Sequence, residues 1–244
     1  MSTSAHAPCA NKLFSFVSVS EFPFLELVLS NRYETGPEPI RVKQDYDLVV
    51  AGGGPSGLMA ALAAAERGLR VLVAEQMPRP GLKLLVSGGG RCNLSHAAPR
   101  EKIMEEFGRQ GRFMAAALER LDPEGLRRFF RSLGVDTVVR PDGCVFPRAD
   151  SSSVVLEALL GRAAKAGVRI MSPARAAAIL PAGGRVSGVR LADGSELRCR
   201  AVVLATGGRS YPGLGGSGGG YALAAALGHQ IVEPLPALVP LITQ

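Results

Sequence analysis

The sequence is poor in the residues that build metal-linked or disulfide-linked frameworks. Its 244 residues include four cysteines and three histidines. The cysteines stand far apart with no C-x-x-C pair, and no histidine lies near them at metal-ligand spacing. These features argue against a zinc site or a disulfide framework and predict that the protein binds no metal. A reducing compartment, the cytoplasm, is the expected location.

Long apolar runs and runs of one charge are missing as well. No apolar stretch reaches the roughly 18 residues needed to cross a bilayer, so no membrane span is predicted. The 28 basic and 21 acidic residues give a formal net charge of +7. The arginines are scattered, whereas nucleic-acid-binding proteins usually cluster basic side chains on one face. We therefore expect no nucleic-acid partner.

The N-terminal stretch "LFSFVSVSEFPFLELVLS" (13–30) is apolar, but Glu21, Pro23 and Glu26 interrupt it. It lacks the cationic start and small-residue exit of a signal peptide. We predict that residues 1–43 form a disordered N-terminal extension. A partner-binding segment is the alternative.

Glycine is abundant, with 30 residues, and it follows apolar runs that have the character of buried strands. "YDLVVAG" (46–52) predicts a strand, "PSGLMAALAAAERG" (55–68) a helix and "RVLVAE" (70–75) a second strand. A strand, a helix and a strand within about 30 residues form a βαβ unit with parallel strands and a right-handed crossover.

Further helices are predicted within residues 100–134 and over 151–167, and "VRIMS" (168–172) predicts a third parallel strand. "ARAAAIL", "GRVSGVRL" and "GSELRCR" predict a three-stranded antiparallel meander. "AVVLATGG" (201–208) predicts a return to a buried strand. The predicted fold class is α/β: a doubly wound, Rossmann-type parallel sheet with a β-meander.

The loop "GGGPSG" (52–57) fits the pattern G-x-G-x-x-G between a strand and a helix. Gly52 permits the tight turn, Gly54 lets the backbone approach a pyrophosphate, and Gly57 lets the helix pack close to the strand. The helix N-terminus directs unpaired N–H groups and partial positive charge towards the phosphates. Pro55 lies in the first turn, where a missing N–H is harmless.

Glu75 closes the second predicted strand, where a carboxylate can accept hydrogen bonds from both hydroxyls of an adenosine ribose. It would also repel a 2′-phosphate, which argues against NADP at this position. The residues therefore predict a dinucleotide with an ADP half. They leave open whether the other half is nicotinamide or flavin.

A second glycine loop, "SGGGRCN" (87–93), follows soon after. Its successive amides can form a concave anion site, with added charge from Lys83 and Arg91, and Asn93 offers both a donor and an acceptor. Cys92 has no resolving cysteine nearby, which favours a packed small residue over a redox thiol.

Four segments together resemble a known family: "GGGPSGLMAALAAAERGLRVLVAEQ", "GLKLLVSGGGRCN", "FPRADSSSVV" and "ATGGRSYPGLGGSGGGYALAAALGH". They are similar to the BaiN-like (YhiN-type) FAD-dependent oxidoreductases, whose members are sometimes described as aminoacetone oxidases. The resemblance runs from about residue 45 to 242. It implies a glutathione-reductase-like domain with FAD lying extended across it.

The resemblance also assigns cofactor-binding residues. It places the first glycine loop at the pyrophosphate, Glu75 at the adenosine ribose, and Lys83 with the second glycine loop on the flavin side. The predicted set is Gly52, Gly53, Gly54, Pro55, Ser56, Gly57, Glu75, Gln76, Lys83, Ser87, Gly88, Gly89, Gly90, Arg91, Cys92, Asn93, Thr206 and Gly207. No catalytic side chain is predicted.

The family comparison divides the chain into the extension (1–43), an incomplete FAD-binding domain (44–233) and the start of a linker (234–244). Because members continue into an inserted substrate domain after "PALVPL", we expect a C-terminally truncated chain from which that domain is absent. The implied reaction is hydride transfer through flavin N5 to or from a small organic substrate, with NAD(P)H or O₂ as electron partner. The alternatives are a fragment unable to retain FAD and an NAD-dependent dehydrogenase domain.

Overall fold

The computed structural model of the protein describes residues 46–236. The predicted extension 1–43 lies outside the described residues, and so do residues 237–244 of the predicted linker. Within the described part, no helix is both long enough and apolar enough to cross a bilayer.

The fold consists of nine strands and seven α-helices within residues 46–236. In chain order the strands are β1 (Tyr46–Ala51), β2 (Val71–Ala74), β3 (Ser95–His96), β4 (Thr137–Val139), β5 (Cys144–Pro147), β6 (Arg169–Met171), β7 (Ala176–Ala182), β8 (Arg185–Leu191) and β9 (Glu196–Leu204). The helices are α1 (Pro55–Ala65), α2 (Leu82–Leu85), α3 (Arg100–Glu106), α4 (Ala115–Arg120), α5 (Pro123–Ser132), α6 (Ser152–Lys165) and α7 (Gly219–Ala225).

A six-stranded sheet in the order β6-β2-β1-β9-β8-β7 forms the centre of the molecule. The strands β6, β2, β1 and β9 run parallel, and β9, β8 and β7 form the antiparallel meander. The predicted βαβ unit is present as β1, α1 and β2. The predicted α/β class with a parallel sheet and a meander is confirmed.

The two faces of the parallel strands are covered differently. On one face, alanines of α1 and Ala163 of α6 pack against Leu48 and Val50 of β1. Alanine side chains are short, so these helices lie close to the sheet. On the other face, Val49 of β1 packs with Val189 and other apolar residues of the meander. Strands of the meander, rather than a second layer of helices, therefore cover this face.

β9 is one strand where the sequence predicted two. Its first half pairs antiparallel with β8, for example Arg198 opposite Gly188. Its second half pairs parallel with β1, for example Val202 opposite Val49. The polar composition changes to apolar near residue 200 because the neighbouring elements change, and no glycine or proline interrupts the strand there.

A second, three-stranded antiparallel sheet in the order β3-β5-β4 was not predicted. It lies in the excursion between β2 and α6, together with α3, α4 and α5. Its Val145 packs into a core with Leu58 of α1, Leu84 of α2 and Leu156 of α6. α2 and the loop that follows it pack on this core.

Candidate functional site

A cavity of about 420 Å³ opens at the carboxyl ends of β1, β2 and β9. Ligand sites in open parallel sheets lie at this edge, and their volumes are roughly 300 to 1,000 Å³. Three segments form its walls: the loop from β1 to α1, the segment from β2 to α2, and the segment from β9 to α7.

Half of the predicted cofactor-binding residues meet in this cavity. Those that line it are Gly52, Gly54, Pro55, Ser56, Glu75, Gln76, Lys83, Thr206 and Gly207. The sequence did not single out other lining residues, which include Met77, Arg175, Ser210 and Gly215. Tyr211, which the turn after "ATGGRS" marked as a candidate for contact near a flavin, also lines the cavity. Tyr211 has a positive φ of 55°, a local signal that sequence alone does not reveal.

Two glycines of the first loop are required by packing within the protein itself. Gly52 has a φ of 111°, and a Cβ there would overlap the carbonyl oxygen of Ala205. A Cβ on Gly57 would overlap the carbonyl oxygen of Gly52. Both agree with the roles predicted for them, a tight turn and close contact between helix and strand.

Gly54 is different, because nothing in the described structure requires a glycine there. Its φ of −75° is open to any residue, and a Cβ at this position would have no described atom within 4 Å. Gly54 lines the cavity, and this free space is part of the cavity. It lies at the N-terminus of α1, which within the described residues has neither a side-chain cap nor an acidic residue in its first turn. A diphosphate fits a space with these properties.

Glu75 is buried at the end of β2, with 7% of its surface exposed. Its Oε2 accepts a hydrogen bond from the backbone N–H of Gly53 at 2.6 Å. Its Oε1 accepts one from the N–H of Met77 at 2.7 Å. A carboxylate has about four acceptor sites, so each oxygen retains capacity for a ribose hydroxyl.

The segment after β9 is tied to the segment after β2 by two long side chains. Gln76 Nε2 donates to the carbonyl oxygen of Gly215 at 2.6 Å. Lys83 Nζ donates to the backbone oxygen of Ser210 at 3.3 Å and to its Oγ at 3.2 Å. Partial burial lowers the pKa of the Lys83 ammonium below its ordinary value of 10.5. These bonds join two walls of the cavity.

The second glycine loop forms a 3-10 turn over Ser87–Gly90 that is interrupted by positive φ values at Gly88 and Gly89. Val86 lines the cavity, whereas the lining as described includes none of residues 87–93. The role of these residues in contacting a flavin stays a prediction.

Two side chains of this loop hold it to the core instead. Cys92 is fully buried among apolar side chains, and burial raises the pKa of its thiol to about 12. The side-chain nitrogen of Asn93, in the amide orientation that satisfies both its polar atoms, donates to the carbonyl oxygens of Ser95 at 2.9 Å and Val145 at 3.2 Å. Because the Cys92 thiol keeps its proton at neutral pH, it is a poor nucleophile.

Over residues 46–236 the chain matches the family model described as HI0933-like protein Rossmann domain. It is 37% identical over 195 residues to the 3-dehydro-bile acid delta(4,6)-reductase of Clostridium scindens, which covers 79% of this chain and 46% of that protein. It is 28% identical over 198 residues to the ribosomal RNA dihydrouridine synthase of Escherichia coli, covering 80% and 48%. The chain thus spans about half the length of the curated relatives it matches.

Among solved structures, the open conformation of a flavocytochrome c3 fumarate reductase has the same fold. The two superpose with a TM-score of 0.60 and 20% identity, over 76% of this chain and 41% of that chain.

Proposed function

The chain belongs to the HI0933-like family of FAD-dependent Rossmann domains, as the resemblance of the four segments predicted, and from this premise we propose that FAD binds in the cavity at the ends of β1, β2 and β9. The chain's own contribution is to hold and orient that cofactor. When bound, FAD supplies two-electron transfer chemistry.

The open space at Gly54 is the observation that carries the proposal. Gly52 and Gly57 are explained by packing against other parts of the chain. No packing among the described residues requires a glycine at position 54, whereas a ligand that comes as close as a side chain would does require one. The neighbouring N-terminus of α1 favours negative charge. A diphosphate supplies both the charge and the close approach.

The order of the strands supports one orientation for the proposed cofactor. β1 is the middle strand between β2 and β9, and it leads into the loop proposed for the diphosphate. Glu75 follows β2 and would hold the adenosine ribose on that side. Thr206 and Gly207, past the end of β9, would lie beside the riboflavin half.

For the whole protein we propose an FAD-dependent oxidoreductase that acts on a small organic molecule by hydride transfer. The reductase of Clostridium scindens, at 37% identity, supports this substrate class. NAD(P)H as electron donor belongs to the same proposal. Because one relative is named for ribosomal RNA, the expected absence of a nucleic-acid partner stays a prediction. The cytoplasmic location stays a prediction as well.

Titration of the purified chain with FAD, followed by the flavin fluorescence and by retention of colour after desalting, tests the proposal. We expect saturable binding by the wild type and at least tenfold weaker binding by Gly54→Val, because the added side chain fills the space of the diphosphate. Gly161→Ala, on the exposed side of α6 with no described atom within 4 Å of the added Cβ, is the matched control. Binding of NADH but not FAD would instead support the dehydrogenase alternative, and binding of neither would support the fragment.

A further inference from the structure

Lys83 places a positive charge in the wall of the cavity. It is partly buried, and its hydrogen bonds go to the two oxygens of Ser210. Among residues 46–236 no carboxylate lies within ion-pair distance of its ammonium group. Loss of hydration is accordingly what lowers its pKa. A partly desolvated ammonium with neutral partners favours an anion from outside the protein.

The position of Lys83 separates it from the other charged residues of the cavity wall, Glu75 and Arg175. Glu75 ends β2, and its carbonyl oxygen accepts the N–H of Ala174, next to Arg175, at 2.6 Å. These two charges therefore lie on the β2 side. Lys83 reaches the opposite side, since its Nζ would lie 4.0 Å from a Cβ on Gly207, just past β9.

We propose that Lys83 places its positive charge beside the isoalloxazine half of FAD and stabilises the negative charge which that half gains on reduction. Oxidised flavin takes two electrons and one proton from a hydride donor and becomes an anion. Lys83 keeps its own proton and makes or breaks no covalent bond, so it is a positioning and charge-supplying residue. This inference rests on the proposed binding of FAD.

The diphosphate is the other anionic group of the cofactor. Contact of Lys83 with the diphosphate and contact with the isoalloxazine predict different effects on FAD affinity. A lysine on the diphosphate would strengthen the binding of oxidised and reduced FAD equally, since the diphosphate charge does not change on reduction. A lysine at the isoalloxazine would favour reduced FAD over oxidised FAD. The ratio of the two affinities, which fixes the midpoint potential of the bound flavin, distinguishes them.

The experiment measures the dissociation constant of oxidised FAD and the midpoint potential of bound FAD, by equilibration with a reference dye under slow enzymatic reduction. The variants are Lys83→Met, Lys83→Arg and Ser210→Ala. Lys165→Met, on the exposed last turn of α6, is the matched control for loss of a lysine charge. These readouts need no substrate and no turnover.

We expect Lys83→Met to reduce the preference for reduced over oxidised FAD about tenfold, which for a two-electron couple lowers the potential by about 30 mV. Lys83→Arg should retain most of the wild-type potential. Ser210→Ala should shift it less than Lys83→Met, because the charge stays. Lys165→Met should leave it unchanged.

An unchanged potential in Lys83→Met overturns the inference, whether or not the affinity for FAD falls; a fall in affinity alone would assign Lys83 to the diphosphate. Failure of the proposed function is seen separately, because wild-type protein would then bind no FAD. If Lys83→Met does not fold, Lys83→Gln, which keeps a hydrogen-bond donor for Ser210, carries the same test.

Discussion

The buried carboxylate of Glu75 is bonded to the backbone N–H of Gly53 at 2.6 Å. This bond joins the end of β2 to the glycine loop at the end of β1. The second oxygen of the carboxylate holds the N–H of Met77, so one side chain fixes two walls of the cavity. The residue predicted to bind the adenosine ribose also organises the protein around that site.

Glu75→Gln should therefore lower both stability and cofactor affinity. The amide keeps one acceptor oxygen, but its NH₂ group must face one of the two backbone N–H donors. Leaving a buried donor unsatisfied costs about 1–3 kcal/mol. We expect a loss of this size in the free energy of unfolding, measured by urea denaturation, and at least tenfold weaker binding of FAD.

The control for Glu75→Gln is Glu157→Gln, an exposed position on α6. It removes the same charge and should change neither quantity. Equal stability of Glu75→Gln and wild type would show that the two backbone hydrogen bonds contribute nothing to the fold.

A second prediction separates two glycines of the same loop. Gly57→Ala should destabilise the fold by about 1–3 kcal/mol or more, because the added Cβ would overlap backbone and overpacking typically costs this much. Gly54→Ala has open space and an unstrained φ, so it should change the free energy of unfolding by less than about 1 kcal/mol. It should nevertheless weaken FAD binding. Thermal unfolding with and without FAD measures both effects.

The opposite order, with Gly54→Ala unstable and Gly57→Ala tolerated, would contradict the assignment of these glycines. So would tight FAD binding by Gly54→Ala, because the Cβ would then not compete with the diphosphate.

Local sequence patterns predicted the side of the site formed by β1, α1 and β2. The turn at Gly52, the helix start at Pro55 and the strand end at Glu75 each follow from neighbouring residues. The sequence did not predict the contacts of Gln76 with Gly215 and of Lys83 with Ser210. These join residues far apart in the chain, and no local pattern encodes them.

The second glycine loop shows a different limit. "SGGGRCN" marks a backbone that needs positive φ values, which Gly88 and Gly89 have. The pattern does not say which neighbour requires them. In the structure Gly88 lies against the backbone nitrogen of Asn93, so its shape is set at least in part by its own packing. The sequence also missed the second sheet, whose strands are too short to show a clear alternation.

Helix α6 offers a stabilising substitution. Gly161 lies inside the helix, is exposed, and has no described atom within 4 Å of an added Cβ. Alanine restricts the unfolded chain and favours the helix by about 0.5–1 kcal/mol relative to glycine. We expect Gly161→Ala to raise the free energy of unfolding by this amount in urea denaturation, with FAD binding unchanged. A decrease in stability would mean that α6 is not a regular helix at this position.

The thiol of Cys92 predicts a loss of stability at alkaline pH. Burial raises its pKa from the ordinary value of 9.0 to about 12, so the folded protein keeps this proton at pH values where the unfolded chain releases it. Stability is therefore fully present below pH 9 and falls as the pH rises towards 12, by about 1.4 kcal/mol per pH unit. Between pH 8 and 10.5 the wild type should lose about 2 kcal/mol more than Cys92→Ala, as measured by urea denaturation at each pH.

Cys199→Ala is a second test in the same direction, because burial raises the pKa of that thiol to about 11. Comparing differences between proteins cancels the titration of lysines and tyrosines, which all three share. Parallel pH profiles for the wild type and Cys92→Ala would show that this thiol titrates alike in the folded and unfolded chain, and hence that the second glycine loop is open to water.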